Sequence, residues 1–152
     1  MHVAHDIEEV ERLTAAVPNP IVAVFDADNT LVRQGASVDE FRRTVSLAVN
    51  RFEAQPTVAR VIILTNGPAR GVPGMIHRGN KPWTTRRRLG LQSNDHDIWV
   101  VGDQVLTDGV LAWRLGATYV LLAIDEETEA SRQAIMRRVG RTLGRVLFLR
   151  QR

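Results

Sequence analysis

The sequence contains no cysteine, which excludes a disulfide scaffold, a thiolate zinc site and a cysteine nucleophile. Aromatic residues are only 5% of the chain, so a core has to rest on Val, Leu, Ile and Ala. Lysine occurs once, at position 81. No apolar run approaches the roughly 20 residues that cross a bilayer as a helix. The segment 1–11 carries acids and histidines where a signal peptide would carry an apolar stretch. These absences lead to the expectation of a cytoplasmic protein in reducing surroundings.

What is present suits one domain. The 152 residues are 44% hydrophobic and 24% charged, enough to fold around a real core, so a single domain over residues 1–152 is expected. The formal charge of +3 is mild but unevenly spread: from Ser131 to Arg152 there are seven arginines and no acid.

Apolar periodicity divides the chain into alternating elements. The spacing of Ile7, Val10 and Leu13 predicts a helix over 6–16, ended by Pro18 and Pro20. Strands are predicted over 21–25, 61–64, 98–101 and 119–124, each a continuous, largely β-branched run of the kind covered on both faces. A second helix runs over 37–54, with Ser37 as N-cap and Glu40 three residues on. Residues 67–82 are rich in Gly and Pro and read as loop. Further helices are expected over 84–89, closed by Gly90, over 105–115, closed by Gly116, and over 126–149. Such alternation predicts an α/β fold, a parallel sheet with helices on both faces.

In sheets of this kind ligands bind beyond the carboxyl ends of the strands. The residues at those ends are Asp26, Ala27 and Asp28, then Thr65 and Asn66, then Gly102 and Asp103, and Asp125. Asp26, Asp28 and Asp103 brought this close would repel one another without a counter-ion. A hard divalent cation such as magnesium (Mg2+) answers that need. A phosphate could then be attacked in line by Asp26, while Asp28 gives a proton to the leaving oxygen and later takes one from water. The Thr65 hydroxyl suits a phosphoryl oxygen, Lys81 offers a point cation, and Asp108 lies across the turn from Asp103 to support the metal.

These residues spell a known pattern. Asp26-Ala-Asp28-Asn-Thr30 matches the first motif of the haloacid dehalogenase (HAD) superfamily, DxDxT. Thr65-Asn66 resembles the second motif, Lys81-Pro82 the third, and Gly102-Asp103 through Asp108 the fourth, GDxxxxD. All four occur in order, each in its strand context. The resemblance implies a three-layer, Rossmann-like parallel sheet of the HAD type. It implies Asp26 as nucleophile, Asp28 as acid/base, and Thr65, Asn66 and Lys81 on the phosphate. Magnesium would be held by Asp26, the backbone carbonyl of Asp28, and Asp103, with Asp108 assisting. Family members that are dehalogenases lack the second aspartate, so Asp28 favours phosphate-ester hydrolysis. The stretch 102–116 looks most like subfamily IIIA and its YqeG-type members, relatives of the mitochondrial phosphatidylglycerophosphate phosphatase.

Only 34 residues separate Thr30 from Thr65, which leaves no room for a cap domain there. An uncapped site suits a bulky or surface-bound substrate. The expected activity is thus magnesium-dependent hydrolysis of a phosphate monoester, on a phosphorylated small molecule or a phospholipid headgroup. Phosphatidylglycerophosphate is one candidate and a soluble sugar or nucleotide phosphate another. A non-catalytic module bound to RNA or a ribosome-associated partner is a third reading, against which the intact Asp26 and Asp28 argue. On a helix over the tail, Ile135, Val139, Leu143, Val146 and Leu147 share one face, and Arg137, Arg138, Arg141 and Arg145 lie off it. That pattern fits peripheral contact with the inner face of a membrane, or simply a solvated arginine face. His2, His5, His77 and His96 lack ligand spacing and read as surface residues. Trp83, Trp99 and Trp113 read as packing residues. Nothing in the sequence sets an oligomeric state.

Overall fold

Five parallel strands form one sheet in the order β1-β5-β4-β2-β3. They are β1 (His2–Ala4), β2 (Ile21–Asp26), β3 (Val58–Leu64), β4 (Asp97–Gly102) and β5 (Thr118–Leu122). The helices are α1 (Ile7–Ala15), α2 (Val38–Glu53) and α3 (Val110–Leu115). The computed structural model describes residues 1–33, 35–68, 70–76, 78–92 and 96–123. The basic helix expected over 126–149, together with Asp125 and His77, lies outside these residues.

The continuous apolar runs behave as strands buried on both faces. All six residues of β2 are buried. Because side chains alternate along a strand, its odd and even positions serve two different cores. Ile21, Ala23 and Phe25 pack with Val10 of α1 and with Phe41, Val45 and Phe52 of α2. The rings of Phe25 and Phe52 lie 4.5 Å apart at 48°. Val22 and Val24 face the other side, with Leu111, Ala112 and Leu115 of α3 and with Leu89 and Leu91. The result is a sheet between two helical layers. Among the described residues no helix is long and apolar enough to cross a membrane.

The caps follow the sequence. Asp6 accepts from the Glu9 N–H at 2.7 Å and Ser37 from the Glu40 N–H at 3.2 Å, each satisfying an orphan donor of a first turn. A single helix, α2, lies between β2 and β3, and between β3 and β4 no helix or strand is formed among the described residues.

Three expectations need correction, and one strand was not anticipated. Residues 2–4 form a strand, β1, which pairs with β5. Residues 84–89 are turn rather than helix. Leu89 N–H bonds the Thr85 carbonyl, but Gly90 at φ 67° ends the coil after that one turn. Residues 105–109 form a π-helical turn, and only then does α3 begin. Trp99 is buried as a packing residue, whereas Trp83 and Trp113 are 62% and 51% exposed.

The strand order fixes where a ligand can sit. From β2 the chain moves to β3 on one side, then crosses back to β4 on the other. The switch point therefore lies between the carboxyl ends of β2 and β4, the place where ligands bind in sheets of this kind.

Candidate active site

Asp26 is the last residue of β2, and Asp103 follows the last residue of β4. They flank the switch point. Asp108 reaches the same place through the π-helical turn, a form of helix that recurs at functional sites. Its N–H bonds the Gln104 carbonyl at 2.8 Å, and its Oδ2 accepts from the Gln104 N–H at 3.3 Å, so the side chain folds back toward the strand end. Gly102 makes this possible. A Cβ at that position would stand 2.3 Å from Asp108 Oδ2 and 2.4 Å from its Cγ.

Carboxylate oxygens of Asp26, Asp103 and Asp108 all lie within 4.8 Å of one another. The three residues are 8%, 1% and 1% exposed. Lys81 enters the cluster from the loop after β3, its Nζ 2.7 Å from Asp26 Oδ1 and 2.8 Å from Asp108 Oδ1. Three carboxylates gathered around one ammonium in a buried site are an expensive arrangement. Burial pushes the Asp26 carboxyl up to about 8, Asp108 and Asp103 add to that, and Lys81 opposes it. Burial by itself would lower the Lys81 ammonium, but Asp108 and Asp26 outweigh it and hold the group above its ordinary value. Three hard oxygen donors this close together fit a divalent cation of the magnesium or calcium type.

Both contacts of the Asp26 carboxylate fall on Oδ1, from the Ala27 N–H at 2.8 Å and from Lys81. Among the described residues Oδ2 accepts nothing. The two carboxylate oxygens are thereby distinguished, one anchored and one available.

Asp28 and Thr65 form a second group beside the first. The turn after β2 is tight: Leu31 and Val32 N–H both bond the Ala27 carbonyl, and Asn29 N–H bonds the Val32 carbonyl at 2.7 Å, with Asn29 at φ 59°. This turn carries Asp28 away from the three-carboxylate cluster, of which its side chain is no member. Asp28 Oδ2 accepts from Thr65 Oγ1 at 2.8 Å, and Thr65 Oγ1 itself accepts from the Gly67 N–H at 2.9 Å.

Two expected phosphate contacts are thus already engaged. The single proton of the Thr65 hydroxyl is directed at Asp28, so it has none left for a phosphoryl oxygen in this state. Asn66 holds Lys81 by its backbone: its Oδ1 accepts from the Lys81 N–H at 2.8 Å, and its Nδ2 donates to the Lys81 carbonyl at 3.3 Å. Beside its expected place on the substrate, Asn66 thus acts as a clamp on the lysine. The structure therefore brings Asp26, Lys81, Asp103 and Asp108 into one cluster, with Asp28 and Thr65 as its neighbours and Asn66 as its support.

One residue escaped the sequence reading. Arg70 Nη1 lies 2.8 Å from Asp28 Oδ1, so both oxygens of Asp28 are occupied. Nothing in its local sequence distinguishes Arg70 from the many other arginines of the chain. No protein-family model, curated protein or solved structure matches the chain.

Proposed function

We propose that this chain is a magnesium-dependent phosphatase of the haloacid dehalogenase type, hydrolysing a phosphate monoester through a phosphoryl group carried on Asp26. The observation that carries this reading is the arrangement of Asp26. It is a buried carboxylate with one oxygen anchored by Lys81 and the other available, beside two further carboxylates at the switch point of a parallel sheet.

Asp26, Asp103 and Asp108 would hold the metal. When bound, the metal neutralises phosphoryl charge that would otherwise be repelled by the carboxylates. The chain's own residues supply the rest. Asp26 Oδ2 attacks phosphorus and forms a new O–P bond, while the bond from phosphorus to the leaving oxygen breaks. The electron pair stays on the leaving oxygen, which takes a proton from the Asp28 carboxyl. Water then attacks the phosphorus and gives its proton to Asp28. The O–P bond to Asp26 breaks, inorganic phosphate leaves, and both aspartates return to their starting states. Lys81 stabilises the Asp26 carboxylate and the charge that spreads over the phosphoryl oxygens. Asn66 keeps Lys81 in register by gripping its backbone on both sides. The 27–32 turn fixes Asp28 beside the cluster, where Thr65 holds it.

The substrate is a phosphate monoester, presented either in solution or at a lipid surface as in phosphatidylglycerophosphate. With only α2 between β2 and β3, no inserted domain separates the site from large leaving groups there. Phosphate release from soluble esters and from phosphatidylglycerophosphate in mixed micelles, with magnesium and with EDTA, tests the reading. Turnover that needs magnesium supports it, and the favoured substrate sets the class. No turnover of any ester by folded, magnesium-loaded protein would defeat it.

A further inference from the structure

We infer that the face built by the 78–91 segment and α3 docks on an anionic lipid surface. Trp83 and Trp113 enter it at headgroup level, and Arg78, Arg87, Arg88 and Arg114 bind its phosphates. This goes beyond the proposed function and stands without it, because docking needs no turnover.

The two helical layers differ in charge. On the α1–α2 side, Glu8, Glu9, Glu11, Asp39, Glu40 and Glu53 stand among the basic residues. Arg42 pairs there with Asp39, and Arg51 with Glu8 and Glu11. The α3 side differs. Residues 78–92 hold four arginines and the lysine without one acid, and α3 holds Arg114 without one. Arg78, Arg87, Arg88 and Arg114 are exposed, and among the described residues none of them is in an ion pair. Like charges gathered in this way repel one another, and an external polyanion relieves that repulsion.

The same face carries the chain's two exposed indoles, Trp83 and Trp113, whereas Trp99 is packed inside. An indole has an apolar body and one N–H, the combination that favours the headgroup level of a membrane. The segment and the helix are joined into one surface. Arg114 Nη1 donates to the Pro82 carbonyl at 2.7 Å, and its guanidinium carbon lies 5.0 Å from the centre of the Trp83 ring. Arg88 Nη2 donates to the Arg78 carbonyl at 2.8 Å, which draws the two ends of the segment together. Each of these guanidinium groups keeps further N–H donors for a phosphate.

Arginine and tryptophan side by side also suit a single-stranded nucleic acid, whose bases stack on open ring faces. Trp83 already has a guanidinium against its ring, so a base would have to displace Arg114 from that face. Entry of the ring among lipid headgroups leaves the pair intact, with both partners in surroundings that suit them. The observations therefore favour the lipid surface. Lys81, two residues before Trp83, reaches the carboxylate cluster, so one short segment carries both a site residue and the docking face.

Vesicle binding by the full chain tests this, with vesicles of phosphatidylcholine alone and vesicles that also contain phosphatidylglycerol. Co-sedimentation and tryptophan emission are read for the unaltered chain, for Trp83→Ala with Trp113→Ala, and for Arg87→Glu with Arg88→Glu. The expected result is binding to the anionic vesicles, weakened by salt, with a blue shift in emission as the exposed indoles leave water. Reversing the two arginines lowers the partition coefficient at least about tenfold, and removing the two indoles lowers it as well. All four side chains are exposed; if one double variant does not fold, the other decides. Binding that the variants leave unchanged places the contact on another surface, the arginine-rich segment 131–152 included, and overturns the inference. So does an absence of binding to the anionic vesicles, or binding to a single-stranded RNA oligonucleotide in its place. None of these outcomes depends on whether the chain hydrolyses a phosphate ester.

Discussion

The Lys81 ammonium lies 2.7 Å from Asp26 Oδ1, with only 4% and 8% of the two side chains open to solvent. The chain's one lysine is therefore the resident counter-ion of its most buried acidic cluster. A lysine at the surface would be dispensable, whereas this one is held on both sides of its backbone by Asn66 and touches two of the three carboxylates.

Replacing it exposes its electrostatic role. Lys81→Met leaves Asp26 and Asp108 buried without a cation, and losing one partner of such a pair costs about 3–5 kcal/mol. For a domain of this size that lowers Tm by roughly 10 °C. Thermal melts in EDTA check the value. Magnesium should recover more stability in Lys81→Met than in the unaltered chain, because the variant has the larger charge deficit. An unchanged Tm would mean that the cluster is solvated in a way the geometry does not suggest.

The same imbalance sets a pH dependence. The Asp26 carboxyl is raised, by burial first and by Asp108 second, from an ordinary value near 3.8 to about 8. Between those limits the folded state binds a proton that the unfolded chain has released. Its contribution to stability is full below pH 3.8 and is lost as pH rises toward 8. Metal-free protein should therefore melt lower at pH 8 than at pH 6, and Asp26→Asn should flatten the difference. Because metal ligands must be deprotonated, magnesium should raise Tm more at pH 8 than at pH 6. Melts at both values, with and without magnesium, read all three effects.

Gly102 tests the placement of Asp108. A Cβ there would meet the Asp108 carboxylate at 2.3 Å, so the aspartate has to move. Gly102→Ala should cost about 1–3 kcal/mol, as overpacking of a tight site does. It should also weaken magnesium binding, read as a smaller magnesium-induced rise in Tm. Loss of stability with magnesium binding intact would show that Asp108 is not a ligand.

Much of this architecture was legible in the sequence because it rests on strong local signals. The runs around Val24, Ile62, Val100 and Val120 are apolar and β-branched, and they became strands because no other structure covers both faces of such a segment. Of the residues after them, Asp26 and Asp103 came together as the carboxyl-end rule requires, with Thr65 beside them on Asp28. What escaped depends on tertiary partners. His2–Ala4 is too short to announce itself and is a strand only because the edge of β5 is open to it. Residues 84–89 have helix-forming neighbours but gain only one helical bond before Gly90 turns left-handed, too little to offset nucleation. Arg70 lies in a Gly- and Pro-rich loop, and only the folded chain carries it to Asp28. Asn66 sits in a recognisable motif, yet its clamp on Lys81 spans 15 residues and has no signature in either segment.

The most direct test of the whole account is phosphate release by the unaltered chain and by Asp26→Asn, side by side, on p-nitrophenyl phosphate and phosphatidylglycerophosphate micelles with magnesium. The account predicts turnover by the unaltered chain on at least one of them. It predicts a fall of more than about a thousandfold in Asp26→Asn, as removal of a nucleophile produces. Asp26→Asn protein that is folded and hydrolyses the same ester at a comparable rate would contradict it.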